Sequence, residues 1–236
     1  MKQMKIVALI LGFCVCLASC NSWNNMSKTG QGAIIGTGGG AALGAAIGAI
    51  AGNTALGSAI GAAVGAGTGA IIGKKMDKAR KEAEAVKNAQ VETVKDANGL
   101  EAVKVTFDSG ILFSTGKSNL SSEAKQSLSQ FATVLKNNSD CDIAIQGYTD
   151  NQGWKNSTVA QSQEKNRALS QDRAQAVSSY LIGLAVPATQ IKSVQGFGEA
   201  NPVADNSTAA GQRENRRVEV YMYASEAMIK AAQAQQ

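Results

Sequence analysis

Between Lys28 and Lys74 the chain has no charged side chain, and glycine recurs through that stretch at every fourth residue. Glycines stand at 32, 36, 40, 44, 48 and 52. After a break at Gly52-Asn53-Thr54 they resume at 57, 61, 65, 69 and 73. In an α-helix residues four apart share a face, so such a row lets a second backbone approach closely enough for dispersion to hold the pair. Ile34, Ile47, Leu56, Ile60, Ile71 and Ile72 occupy other faces and suit lipid. In water each interior glycine costs about 1 kcal/mol of helix propensity relative to alanine, whereas in hydrocarbon the backbone must satisfy itself and helix is the available solution. The two segments flanking the break are each about 20 residues long, enough to span a bilayer. Residues 30–73 therefore read as a membrane hairpin of two helices, with a flexible Gly/Ala linker or a helical hairpin packed on protein as the alternatives. No Asp or Glu lies within it to carry protons, which argues against an ion-driven stator.

The first residues form an address. Lys2 and Lys5 precede an apolar stretch from Ile6 to Leu17, followed by Leu17-Ala18-Ser19-Cys20. A basic start, a short apolar region and small residues at a cleavage site make a secretory leader, too short for a stop-transfer span. The four-residue motif resembles that of bacterial lipoproteins, in which the Cys receives a diacylglyceryl group and becomes the mature N-terminus. That resemblance implies a signal peptide over 1–19, covalent lipid (diacylglyceryl and palmitate) on Cys20 and a lipidated segment over 20–29. Asn21 in place of Asp implies the outer membrane. Cys14 and Cys16 would leave with the leader, so Cys141 would stand alone, expected as a small buried hydrophobe.

Composition removes much of enzymology. With no histidine among 236 residues, Ser-His-Asp and Cys-His catalysis, histidine-ligated zinc and an imidazole switch are excluded. The net charge of +5 loses two units with the leader lysines, and no basic stripe with interleaved aromatics makes a case for nucleic acid. From Lys74 the composition turns abruptly to mixed charge. Residues 74–100 read as a solvated helical spacer with pairs such as Asp77 with Lys81 and Lys78 with Glu82, about 40 Å long at 1.5 Å per residue.

From Glu101 the periodicity is that of a soluble domain. Val103, Val105 and Phe107 alternate as a strand. Ser121-Ser122-Glu123 opens a helix with Leu128, Phe131, Val134 and Leu135 on one face, and Ile143 and Ile145 mark a second strand ending at Gly147-Tyr148-Thr149-Asp150. A polar loop over 151–165 precedes a helix from Ser170, then strands at 191–194 and 218–222. Strand, helix, strand, helix, strand, strand implies an α/β sandwich, helices on one face of a mixed sheet, over residues 101–224, with 225–236 as a tail.

Several segments in order resemble the OmpA-like peptidoglycan-binding domain: Phe107-Asp108-Ser109-Gly110-Ile111-Leu112-Phe113, Gly147-Tyr148-Thr149-Asp150, Asn166-Arg167-Ala168-Leu169-Ser170 with Arg173, Gly196-Phe197-Gly198-Glu199, and Asn215-Arg216-Arg217-Val218-Glu219. In that family an Asp and an Arg at these places grip the zwitterionic end of diaminopimelate in the peptide stem, which implies roles for Asp150 and Arg173 here. An Asp carboxylate can pair with an ammonium, and an Arg fork can hold a carboxylate through two charge-assisted hydrogen bonds. With Ser170 as N-cap, Arg173 is expected in a first helical turn, whose free N–H groups also favour a carboxylate. Thr149, Asn166, Arg216 and Arg217 complete the implied site. The loop after Asp150 is about eight residues longer than is usual in the family, Ser114 replaces a common Asp, and Gln212 replaces a common Arg with Arg213 beside it. The glycine row resembles the glycine-zipper segments of envelope lipoproteins.

Together these readings imply a non-catalytic outer-membrane lipoprotein, its C-terminal domain in the periplasm, whose partners are membrane lipid and peptidoglycan. The alternative is a glycine-zipper-driven homo-oligomer or envelope assembly factor located by its wall-binding domain. A wall hydrolase would need paired carboxylates at glycosidase spacing or a zinc-ligating His, and neither is found in the sequence.

Overall fold

The structure is a computed structural model that describes residues 66–96 and 99–235. The leader, Cys20 and the glycine row up to residue 65 lie outside the described residues. In chain order the elements are α1 (Ala66–Glu84), β1 (Ala89–Lys95), β2 (Glu101–Asp108), the single turn α2 (Ser109–Leu112), α3 (Ser122–Asn137), β3 (Cys141–Gly147) and α4 (Val159–Gly183). After a 3-10 turn at Ala188–Gln190 come β4 (Ile191–Gly196), α5 (Ala209–Asn215), β5 (Arg217–Ala224) and α6 (Glu226–Gln233). The strands form one mixed sheet in the order β1-β2-β5-β3-β4. Only β3 and β4 run parallel, joined through α4 because a parallel pair needs a long crossover.

Alternation along each strand divides the sheet into two faces. Val103, Val105 and Phe107 of β2, Ile143 and Ile145 of β3, and Val218, Val220 and Met222 of β5 form one core with the apolar sides of α1, α3, α4 and α6. Phe107 meets Phe131 of α3 edge to face at 5.5 Å. A smaller cluster of Val94, Ala102, Ala144, Tyr221 and Tyr223 covers the reverse side. The expected α/β sandwich with helices on one face is thus the fold, and α3 begins where its Ser121 cap predicts, the serine side chain accepting from the Ala124 N–H.

The segment expected as a solvated spacer is part of this domain. In α1, Ile72, Met76, Ala79 and Ala83 are buried against the sheet, and their 4-3-4 spacing is a helix face. Residues 89–95 do not continue the helix but form an edge strand paired along its length with β2. The charged residues that dominate the composition sit on the outer side of α1. Lys78 reaches Glu82 at 3.7 Å as expected, while Asp77 takes Arg80 at 3.6 Å instead of Lys81. Ile72, expected to face lipid, lies in the protein core. Residues 225–236, expected as a tail, contain α6, which buries Met228, Ile229 and Ala232. Among the described residues no helix is long and apolar enough to cross a membrane.

Cys141 is buried at the start of β3, and burial, with Asp140 beside it, pushes its thiol up to about 12. The thiolate is the reactive form. Alkylation with iodoacetamide at pH 8, read by peptide mass mapping, is therefore expected to leave Cys141 unmodified in the native chain and to modify it fully in denaturant.

Candidate functional site

Two glycines position the site by admitting a helix where a side chain could not fit. A Cβ on Gly147 at the end of β3 would lie 2.2 Å from the Ser170 carbonyl oxygen, and one on Gly196 at the end of β4 would lie 2.1 Å from the Gln171 nitrogen. α4 therefore rests directly on the ends of the parallel pair. The seat is fastened by polar bonds: the Gly198 N–H donates to Ser170 Oγ at 2.8 Å, and the Gln171 amide accepts from the Gly196 N–H at 2.7 Å and donates to the Val194 carbonyl at 3.2 Å. Ser170 is thus a mid-helix buttress and not an N-cap. The cap is Thr158, in a reciprocal capping box with Gln161, so α4 starts twelve residues earlier than the sequence suggests and Arg173 is no longer in a first turn.

This seat turns Arg173 toward the segment that follows β3, and a cleft of about 600 Å³ opens between them. Thr149 and Asp150 form its floor. Arg173, Leu169 and Asn166 of α4 form one wall, Ser109, Gly110 and residues 113–116 another, and Gln152, Gly153, Trp154 and Lys155 the rim, with Arg216 entering from the start of β5. Of the six residues expected to bind ligand, five line this cleft. Arg217 does not. It is buried on the reverse side, where its guanidinium pairs with Glu219 at 2.7 Å, donates to the Asn215 and Asn201 carbonyls, and lies 3.8 Å from the Tyr148 ring centre. Strand alternation explains the separation, because β5 turns Arg217 to the face opposite Val218. Arg213 is also elsewhere, bound to Asp108 at 2.8 Å.

The charges in the cleft are unevenly matched. Asp150, buried, accepts from Arg216 through one carboxylate oxygen and from the Gln152 N–H at 3.2 Å through the other. Arg173 is only 4% exposed. Its Nε donates to the Lys117 carbonyl at 3.0 Å and its guanidinium carbon lies 5.1 Å from the Phe113 ring centre. Its two terminal nitrogens have no acceptor among the described residues. Burial, and then the like charge of Arg216, hold the Arg173 pKa below the ordinary arginine value, with Asp150 acting in the opposite direction. A guanidinium this buried, near Asp150 but not bonded to it, carries a desolvation cost, and a carboxylate placed on its free edge would relieve that cost through a bidentate contact. Two buried hydroxyls of the cleft, Ser109 Oγ and Thr149 Oγ1, have no hydrogen-bond partner among the described residues. The arrangement has the chemistry to hold a small polar group bearing at least one carboxylate, with Asp150 retaining lone pairs for a cation.

Asn166 lies at the cleft, but both ends of its amide are engaged. It accepts from the Trp154 indole N–H at 2.7 Å and donates to the Gln152 carbonyl at 3.1 Å. Asn166 thus holds the loop that forms the rim. Trp154 and Lys155 have no role in the sequence reading, and Ser109 enters it only within the segment 107–113. Ser109 follows Asp108, whose side chain caps α2, and that local capping pattern points to a turn and says nothing of a cleft.

Residues 112–216 match the OmpA family, and residues 1–77 match the YMGG-like Gly-zipper. The chain is 36% identical over 116 residues to the probable lipoprotein YiaD of Escherichia coli, covering 49% of each chain. It is 34% identical over 119 residues to the peptidoglycan-binding protein ArfA of Mycobacterium tuberculosis, covering 50% of this chain and 34% of that one. The chain thus spans about half or less of the length of these relatives. Among solved structures, a MotB-like protein from Desulfovibrio vulgaris superposes with a TM-score of 0.54 at 21% identity, over 64% of this chain and 93% of that one. The cell wall anchor of the T6SS from Pseudomonas aeruginosa superposes with a TM-score of 0.51 at 25% identity, over 64% and 97%.

Proposed function

We propose that this chain, which carries an OmpA family domain behind a glycine-zipper segment, is a non-catalytic tether. In this reading Cys20 carries the lipid that holds one end in the outer membrane. The domain binds peptidoglycan in the periplasm by grasping the free amino-acid end of diaminopimelate. The observation that carries it is Arg173: a buried guanidinium whose terminal nitrogens lack an acceptor among the described residues, in the same cleft as an Asp carboxylate. A zwitterionic end satisfies both, its carboxylate on Arg173 and its ammonium on Asp150. The relatives support the wall as the ligand's source, since one is named a peptidoglycan-binding protein and another a probable lipoprotein. Thr149 and Arg216 stand as further contacts. Asn166 is a positioning residue in this account and Arg217 supports the fold. Weak attachment at one site suffices when many anchored copies face a polymeric ligand.

The test is co-sedimentation of the full chain, solubilised in detergent, with sacculi of the diaminopimelate type. Binding is expected, and free meso-diaminopimelate at millimolar concentration is expected to release the chain. Retention of the chain on sacculi whose diaminopimelate is replaced by lysine, which lacks the second carboxylate, would overturn the assignment of the ligand.

A further inference from the structure

We propose that the loop over residues 151–158 builds a second anion subsite beside the diaminopimelate end, at Lys155, so that the cleft reads a second carboxylate of the stem peptide. This rests on the wall-binding reading above and refines what the site recognises.

The first argument is a charge count. The ionisable side chains lining the cleft are Asp150, Lys155, Arg173 and Arg216. Asp150 and Arg216 already form an ion pair. Arg173 and Lys155 have no carboxylate within ion-pair distance among the described residues. Two unmatched cations against one matched acid suit a ligand with two carboxylates and one ammonium, the ammonium sharing Asp150 with Arg216 through the lone pairs that remain. Lys155 is exposed at the rim, and a zwitterionic end alone would leave it to solvent.

The second argument is size and order. An amino-acid head of five heavy atoms occupies a minor part of a cleft of about 600 Å³, which leaves room for more of the peptide. The wall it would meet is fastened in place. The Trp154 backbone N–H donates to Ser162 Oγ at 3.0 Å, the indole N–H is held by Asn166, and the Gln152 carbonyl is held by the same amide. The capping box at Thr158 fixes the far end of the loop. A loop tied at these points holds its position before the ligand arrives, which lowers the ordering cost of binding. The buried hydroxyls of Ser109 and Thr149, unpartnered among the described residues, give the interior further polar contacts for a ligand longer than the head group.

Calorimetric titration of the detergent-solubilised full chain with soluble ligands tests this. The probes are meso-diaminopimelate, N-acetyl-γ-D-glutamyl-meso-diaminopimelate, and two forms of that dipeptide. One is amidated at the glutamyl α-carboxylate, the other at the diaminopimelate carboxylate that continues the stem. The dipeptide is expected to bind about fivefold tighter than one of the amides, the size of a partly exposed charge contact, and the amide that loses affinity names the source of the carboxylate. Lys155→Gln is expected to erase the preference and Lys155→Arg to keep it. Equal affinity for the dipeptide and both amides overturns the subsite, as does a preference that survives Lys155→Gln. Absence of binding by meso-diaminopimelate itself overturns the wall-binding reading and the subsite with it.

Discussion

A chain beginning at residue 98 is expected to lose cooperative unfolding, whereas one beginning at residue 60 is expected to melt as a single transition. The family match begins at residue 112, and the change in periodicity near residue 101 makes residue 98 look like a natural start. The packing says otherwise. Starting at 98 removes α1 and β1, and with them the buried Ile72, Met76, Val86 and Val94 and the whole ladder that β1 makes with β2. Burying an aliphatic side chain of this size contributes about 1.5–3 kcal/mol. The loss is then of the same order as the 5–15 kcal/mol that holds a typical domain together. It would also bare an edge of β2 whose unpaired backbone groups invite aggregation. Thermal melts followed by circular dichroism, with size-exclusion chromatography, read the difference. Equal and cooperative melting of the two chains would show that α1 and β1 are ornaments of the domain.

Replacing Arg173 by methionine is expected to weaken wall binding by at least about tenfold while leaving the fold as stable as before, or more so. The two effects have one cause. Arg173 sits in α4 with its charge buried and its outer nitrogens without an acceptor among the described residues, a condition that costs folding free energy. Methionine fills similar volume without that charge and still packs on Phe113. The ligand carboxylate, in contrast, loses its only buried bidentate partner. A charge-assisted pair in such a setting is worth about 1.5–3 kcal/mol, so affinity is expected to fall by about tenfold to a hundredfold. Asp150→Asn makes a useful contrast, because it strands Arg216 as well as removing the site for the ammonium. That variant is expected to lose both binding and stability. Binding to diaminopimelate-type sacculi and the melting temperature, measured on the same preparations, decide it. Retained binding in Arg173→Met would remove Arg173 from the site.

These expectations follow the line between what local patterns reveal and what they conceal. The central strands, α3 and the course of the chain from β2 to β5 were legible because their core residues recur at strand or helical spacing, even in β5, which is buried along its whole length. Asp150 and Arg173 were legible through the order of several short segments, and the structure places them at one cleft. The start of α4 was not, because Thr158 and Gln161 are a weaker signal than a serine beside the motif. Ser170 has the chemistry of a cap but serves to bind the Gly198 N–H in the interior of the helix.

Sequence alone determined the class of the domain, the residue types able to take a zwitterion, the exclusion of histidine chemistry and the presence of an uncharged glycine row, since each depends on residue identity and near neighbours. Tertiary structure decided where the domain begins. The inner face of α1 is two large residues and two alanines, too slight to stand out among lysines and glutamates until a sheet is seen to cover it. Tertiary structure also separated Arg216 from Arg217, adjacent in the chain and identical in chemistry. The pleat of β5 sends Arg217 to the reverse face to pair with Glu219. Arg216, just before the strand, reaches Asp150, which lies 66 positions away in the sequence. A contact over that distance depends on strand register and the seat of a helix, and no local pattern encodes it.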